Sequence, residues 1–203
     1  MYETLVTNTR MPGCYRAKVG TRDDLLAAAK QCLAERGYAR TTVRDIVAAS
    51  GTNLAAINYH FGTRDKLLSQ AMMESSATAV QAILDSLPAD DTADPAVRIR
   101  AFLEQLIRSF TEERLLWSAN IESFVQALHS PELRAELGTA QARARRALSH
   151  VADSATPDPA IGAVVQTLIG GLLVQWLIDP ANAPSAETIA AGLRALAAAA
   201  DPD

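Results

Sequence analysis

Residues 53–62, Asn-Leu-Ala-Ala-Ile-Asn-Tyr-His-Phe-Gly, place Ile57 and Phe61 one helical turn apart and leave Leu54, Ala55, Asn58 and Tyr59 on the remaining arc. The residue types on that arc suit the edges of DNA bases. A carboxamide such as Asn58 pairs two-fold with adenine, and Leu54 or Ala55 can touch a thymine methyl group. Tyr59 and His60 can donate to phosphate oxygens. Thr42 upstream and Arg64 downstream lie at expected helix starts, where free amides favour a phosphate. Arg44 can reach a phosphate or a guanine and is the expected main charged reader. Each residue also has a plainer role as a solvated surface group, so the weight rests on the whole pattern.

Such side chains read DNA only if something holds their helix at a fixed angle. In TTVRDIVAASGTNLAAINYHFG, residues 41–62, Thr42 can cap a first helix with Asp45 three positions on, and Ile46 with Val47 give that helix its inward face. Gly51 supplies a left-handed turn, and Asn53 can cap the second helix. The result is a helix-turn-helix over about 42–61, whose second helix fits the major groove. Before it, residues 22–36 carry apolar positions at helical spacing, with Thr21 placed to cap and Gly37 to stop. After it, Thr63 restarts a helix expected to run to Leu87, and residues 88–95 read as a polar linker. Further helices are expected near 96–111, 113–128, 131–153, 159–178 and 185–200, punctuated by prolines. No stretch alternates with period two for long enough to make a strand, so the expected fold class is all-α with about nine helices.

From Thr21 to Leu68 the chain resembles the DNA-binding domain of the tetracycline-repressor (TetR) family of transcriptional regulators. The residues that carry the likeness are TTVRDIVAASGTNLAAINYHFGTRDKLL: a Thr-led helix, a Gly turn, a second helix ending Tyr59-His60-Phe61, a basic residue, then Leu67-Leu68. Val47, Thr52 and Asn58 depart from the family's usual Ala, Val and Tyr, and Asn58 implies a different operator sequence. The resemblance implies three parts: a flexible tail at 1–20, a DNA-binding domain at 21–68, and a ligand-binding and dimerisation domain at 69–203. It also implies a homodimer formed by the helices near 159–178 and 185–200 in a four-helix bundle, on a palindromic double-stranded operator.

Composition agrees with a globular chain. Hydrophobic residues make up 49% and charged ones 21% of 203 residues, which excludes a disordered chain. Residues 1–72 carry ten Lys/Arg against six Asp/Glu, and residues 73–203 carry nine against seventeen. A basic front on an acidic body suits a module that meets a polyanion. Cys14 and Cys32 match no zinc or redox spacing, so a reducing cytoplasm is expected, with Met1 or Met11 as the start. His129 and His150 have no ligand-spaced partner, so no metal and no cofactor are expected, and Arg143, Arg145 and Arg146 read as a solvated face. The uncharged run 160–178 approaches membrane-spanning length, but Gln166, Thr167, Gln175 and three glycines interrupt it. A buried or dimer-forming helix is expected there, with Gly170-Gly171 allowing close approach.

Trp117, Asn120, Phe124 and Gln126 share one expected helix, and Gln166 lies on a later one. Aromatics with a few amides are what a cavity for a small apolar effector needs, and Trp117, Asn120, Phe124 and Gln166 are the candidate ligand residues. Core packing with a dimer contact is the competing reading, and Glu122 on the same helix could receive a cation. No nucleophile with a base and no paired acid and base stands out, so no catalytic residue is assigned. The expected function is a homodimeric repressor released from its operator by a small molecule. The alternatives are a regulator controlled by a protein partner and an all-α enzyme.

Overall fold

The computed structural model describes residues 21–87, 94–153 and 155–200. Among these residues it holds nine helices and no strand: α1 Thr21–Arg36, α2 Val43–Ser50, α3 Leu54–Phe61, α4 Arg64–Ser86, α5 Pro95–Glu112, α6 Arg114–His129, α7 Pro131–Leu148, α8 Pro159–Ile178 and α9 Ala186–Ala200. Local chemistry explains most of the boundaries. Three helices begin with proline, whose missing N–H falls where a helix has no partner for it. Each has an oxygen-bearing residue just before it: Asp94 accepts from Ala96 N at 2.9 Å, Ser130 from Leu133 N at 3.3 Å, and Asp158 from Ala160 N at 2.8 Å. Gly37 and Gly51 take φ of 76° and 65°, the left-handed region that glycine enters freely.

Two expected boundaries differ. Thr21 is already inside α1, so it does not cap that helix. Helix α7 stops at Leu148 rather than 153, because the Ser149 carbonyl accepts from the amide of Asp158 at 3.0 Å instead of from a next turn. That closure drives Leu148 and Val151 into the core at 1% and 0% exposure. The expected linker at 88–95 lies outside the described residues as far as 93; Asp94 and Pro95 open α5. The tail at 1–20, with Cys14, lies outside them as well.

Two clusters of buried side chains organise the helices. One gathers Leu25, Leu33, Ile46, Ile57, Phe61, Leu67, Leu68 and Met72 from α1 to α4, and takes Ala119 from α6. The other gathers Ile83 of α4, Phe102, Leu106 and Phe110 of α5, Trp117 of α6, and Leu172 and Leu173 of α8. Helices α4 and α6 therefore serve both clusters. Between them Ser123 donates to Ser69 at 3.1 Å, which satisfies a polar pair that burial would otherwise penalise. Cys32 lies buried within α1, and desolvation pushes its thiol up.

Helices α7 and α8 cross closely at Gly162, where an added Cβ would strike the backbone of Arg145 and Ser149. Gly162→Ala should cost about 1–3 kcal/mol in urea unfolding, because helix backbone yields less than a side-chain tip. Gly138→Ala, in α7 with nothing within 4 Å of the added carbon, should instead stabilise by about 0.5–1 kcal/mol.

Candidate nucleic-acid interface

The turn between α2 and α3 is built from side chains that satisfy backbone groups. Thr42 accepts from the Asp45 amide at 3.2 Å and donates its hydroxyl to Asp45 Oδ2 at 2.6 Å, and its own amide donates to the same oxygen at 2.8 Å. These hydrogen bonds from Thr42 hold the Asp45 carboxyl below its usual range. Arg36 donates to the other Asp45 oxygen at 2.7 Å. At the start of α3, Asn53 accepts from the Ala56 amide at 3.0 Å. Ser50 and Thr52 bind each other at 2.7 Å across Gly51. Every partner lies within a few residues of its mate except Arg36, which ties α1 to the first turn of α2.

On α3, Ile57 and Phe61 are buried at 1% and 8% exposure and hold the helix to the first cluster. The opposite arc faces outward. Leu54 is 53% and Tyr59 85% exposed, and Ala55 and Asn58 are exposed beside them. His60 is partly buried, with its ring edge-on to Tyr59 at 4.9 Å. Arg44 is exposed in the first turn of α2 and makes no ion pair among the described residues. Leu54, Ala55, Asn58 and Tyr59 thus share the outward arc of α3, and Arg44 is exposed on α2.

Thr42 and Arg64 stand at the expected helix starts, but their donors are engaged within the fold. Both donors of Thr42 are consumed by Asp45, so a phosphate at α2 would meet helix amides rather than the Thr42 hydroxyl. Arg64 spends its guanidinium inside the fold: Nε donates to Thr41 O at 2.7 Å, Nη2 to Tyr38 O at 2.6 Å, and Nη1 to Asp65 at 2.6 Å. The same group lies over the Tyr38 ring at 5.4 Å. Tyr38 is 3% exposed and donates to Asp65 at 3.4 Å, and burial pushes its hydroxyl up to about 12. Arg64 is a clamp between α4 and the α1–α2 connection. Sequence reasoning missed this because the acceptors are backbone carbonyls more than twenty residues upstream, which no local pattern marks.

A cavity of about 660 Å³ lies between α4, α6, α7 and α8. Trp117, Asn120, Phe124 and Gln166 all line it, whereas Glu122 and Gln126 do not. The sequence reading missed the α4 wall, where Gln70, Met72, Met73, Glu74 and Ser76 face the cavity, and the α7 wall around Leu137 and Ala140. The adjacent methionines were the available signal, since flexible thioethers suit irregular space. Asn120 donates to Ser76 at 3.0 Å, and Arg145 donates to Gln166 at 3.1 Å. Arg145 is therefore bonded across to α8 and is more than a solvated residue.

The clamp can be tested apart from DNA contact. Arg64→Ala should lower stability by about 2 kcal/mol in denaturant unfolding, because it strands buried carbonyls. Arg64→Lys should recover less than half of that, since an ammonium cannot reproduce the fork. Neither variant should change the salt slope of DNA binding, whereas loss of a phosphate contact would flatten it by about one unit.

Known proteins bear on this geometry. Residues 25–71 match the family model for bacterial regulatory proteins of the tetR family, and residues 93–199 match the tetracyclin repressor-like C-terminal domain. The HTH-type transcriptional repressor AcnR of Corynebacterium efficiens is 30% identical over 121 residues, which span 58% of this chain and 56% of AcnR. The HTH-type transcriptional repressor Rv3405c of Mycobacterium tuberculosis is 31% identical over 147 residues, covering 67% of this chain and 78% of that protein. Among solved structures, the regulator SCO7518 of Streptomyces coelicolor shares the fold with a TM-score of 0.64 at 21% identity, covering 87% of this chain and 97% of its own. The multidrug binding protein EbrR, complexed with proflavin, does so with a TM-score of 0.65 at 22% identity, covering 87% and 99%. The outward arc of α3, the capped turn that aims it and both family matches lead to one conclusion: this chain belongs to the TetR family of helix-turn-helix transcriptional regulators.

Proposed function

We propose that the protein is a homodimeric repressor, active in the cytoplasm, that leaves a palindromic operator when a small molecule fills the cavity. The observation that carries this reading is the placement of α4. Its first turn is clamped through Arg64 to the α1–α2 connection that leads into the helix-turn-helix, and residues of its middle between Gln70 and Val80 line the cavity. A ligand that fits better when α4 is displaced would draw the recognition helices away from the spacing DNA requires, by no more than its differential affinity for the two states. On this reading residues 21–68 form the DNA-binding unit, 69–203 the ligand and dimer unit, and α4 crosses the boundary. An ion pair between Lys66 of α4 and Glu132 of α7 adds a second tie across it.

The dimer reading is supported by apolar surface on α8 and α9. Val164, Val174 and Ile178 of α8 and Leu196 of α9 are each more than 40% exposed. An added Cβ at exposed Gly171 would meet nothing within 4 Å, so a second helix could approach closely there. A two-fold pairing of this face would cover side chains otherwise left in water. The cavity favours a small-molecule signal over control by a protein partner alone, which a sealed core would suit better.

Selection of bound duplexes from a random pool by the purified protein, at near-physiological salt, tests the reading. A two-fold symmetric site is expected, with half-sites about 34–36 Å apart or a multiple of that. Enrichment of an asymmetric site, or of none, by ligand-stripped refolded protein would overturn it. Asn58→Ala should then relax preference at one base pair per half-site by about 1–3 kcal/mol while leaving the other positions intact. An unchanged preferred sequence would mean that α3 enters the groove on another face.

A further inference from the structure

A helix in the major groove reads bases only while cations hold its protein on the phosphates, and the folded DNA-binding unit is short of free ones. Residues 21–68 carry seven Lys and Arg. Five of these sit beside a carboxylate: Arg22 by Asp23, Lys30 by Glu74, Arg36 by Asp45, Arg64 by Asp65 and Lys66 by Glu132. Such a partner offsets the charge before DNA arrives. Arg40 and Arg44 are exposed and have no carboxylate partner among the described residues; Arg40 Nε donates only to the Arg36 carbonyl, at 3.0 Å. Two per copy makes four in the proposed dimer, fewer than the roughly six to ten phosphate contacts over which a DNA-bound regulator spreads its electrostatic attraction.

The missing charge stands immediately upstream in the sequence. Residues 1–20 hold Arg10, Arg16 and Lys18 against Glu3 alone. They join the fold beside the end of the helix that meets DNA: Thr21 opens α1, and the Arg22 guanidinium lies over the ring of Phe61, the last residue of α3, at 5.2 Å. A chain covers at most about 3.3 Å per residue, so the stretch from Arg10 to Thr21 can reach roughly 36 Å, against a major groove about 12 Å wide. Thr4, Thr7, Thr9 and Tyr15 add hydroxyl donors of the kind that bind phosphate oxygens.

Resting on the reading of the chain as an operator-binding dimer, we propose that residues 1–20 are a second DNA-binding segment, whose Arg10, Arg16 and Lys18 hold the phosphates flanking each half-site. The segment adds affinity without reading bases, because phosphate contacts carry no sequence information of their own. The test uses the full chain and the operator recovered from the random pool. Replacing the three cations together, R10A/R16A/K18A, should lower affinity at near-physiological salt by at least about tenfold. The same variant should flatten the salt slope by about three to five units, since six charges leave the dimer at roughly 0.9 each. The preferred bases within the half-sites should stay the same. R10K/R16K keeps the charge and should keep most of the affinity; a loss equal to that of the triple variant would overturn phosphate binding. A duplex trimmed to the two half-sites should bind the unaltered chain about as weakly as the full duplex binds the triple variant, and trimming should cost that variant little. Should the triple variant fail to fold, the trimmed duplex decides with the unaltered chain. An unchanged slope in the folded variant, or equal binding of trimmed and full duplexes by the unaltered chain, would overturn this inference and leave operator recognition standing. Failure of the unaltered chain to enrich any duplex would overturn both.

Discussion

The arrangement depends on one guanidinium. Arg64 gathers the carbonyls of Thr41 and Tyr38 and the carboxylate of Asp65 around a single planar group at 2.6–2.7 Å. A fork of this kind fixes direction as well as distance, because its donors lie in one plane and cannot rotate independently. It therefore sets the angle at which α4 leaves the helix-turn-helix. Thr63 contributes by capping α4, accepting from the Lys66 amide at 3.2 Å. Beyond that point α4 runs for 23 residues as a strut of about 34 Å, rigid by its own backbone bonds. In the proposed function, a ligand that moved the middle of α4 would act on the α1–α3 unit through this clamp.

Sequence legibility followed the range of the interaction. The Thr42–Asp45 box, the Gly51 turn and the Asn53 cap each involve groups within three residues, so spacing alone was enough to place them, and the structure has all three. The outward arc of α3 was equally readable, since a helix with Ile57 and Phe61 buried has only one face left. Arg64 was not, because its main acceptors are backbone atoms 23 and 26 residues away that any residue type could supply. The end of α7 was missed for the same reason. No Gly or Pro marks Ser149, and what stops the helix is an amide nine residues on.

The cavity shows an intermediate case. Aromatic and amide character drew attention to Trp117, Asn120, Phe124 and Gln166, and all four line one space. Character could not show the walls that α4 and α7 supply, since a lining methionine or alanine reads the same as a packed one. Charge asymmetry was also only partly informative. Several basic residues of the front half turn inward or sideways: Arg36 to Asp45, Lys30 to Glu74 and Arg64 to backbone carbonyls. Arg44 stays exposed in the first turn of α2, so the net +4 of residues 1–72 overstates how much of that charge is free to meet a polyanion.

Helix α8 is apolar nearly all round, which made it look like a membrane span by composition. The fold gives each side its own task. Gly162 lets the helix press against the α7 backbone, Leu172 and Leu173 enter the second core, and Ile169 with Gln166 faces the cavity. Val164, Val174 and Ile178 remain outside. Packing within the chain accounts for part of that composition, and the apolar residues left outside fit the seam of the proposed dimer. The same economy has a mechanical side. Gly170 borders the cavity, and the face expected to meet a second copy begins on the adjacent positions of the helix. In the proposed dimer, cavity wall and subunit seam would share one rigid element, so a ligand pressing on α8 would push against a fixed partner. The compliant wall is then α4, the one that reaches the DNA-binding end.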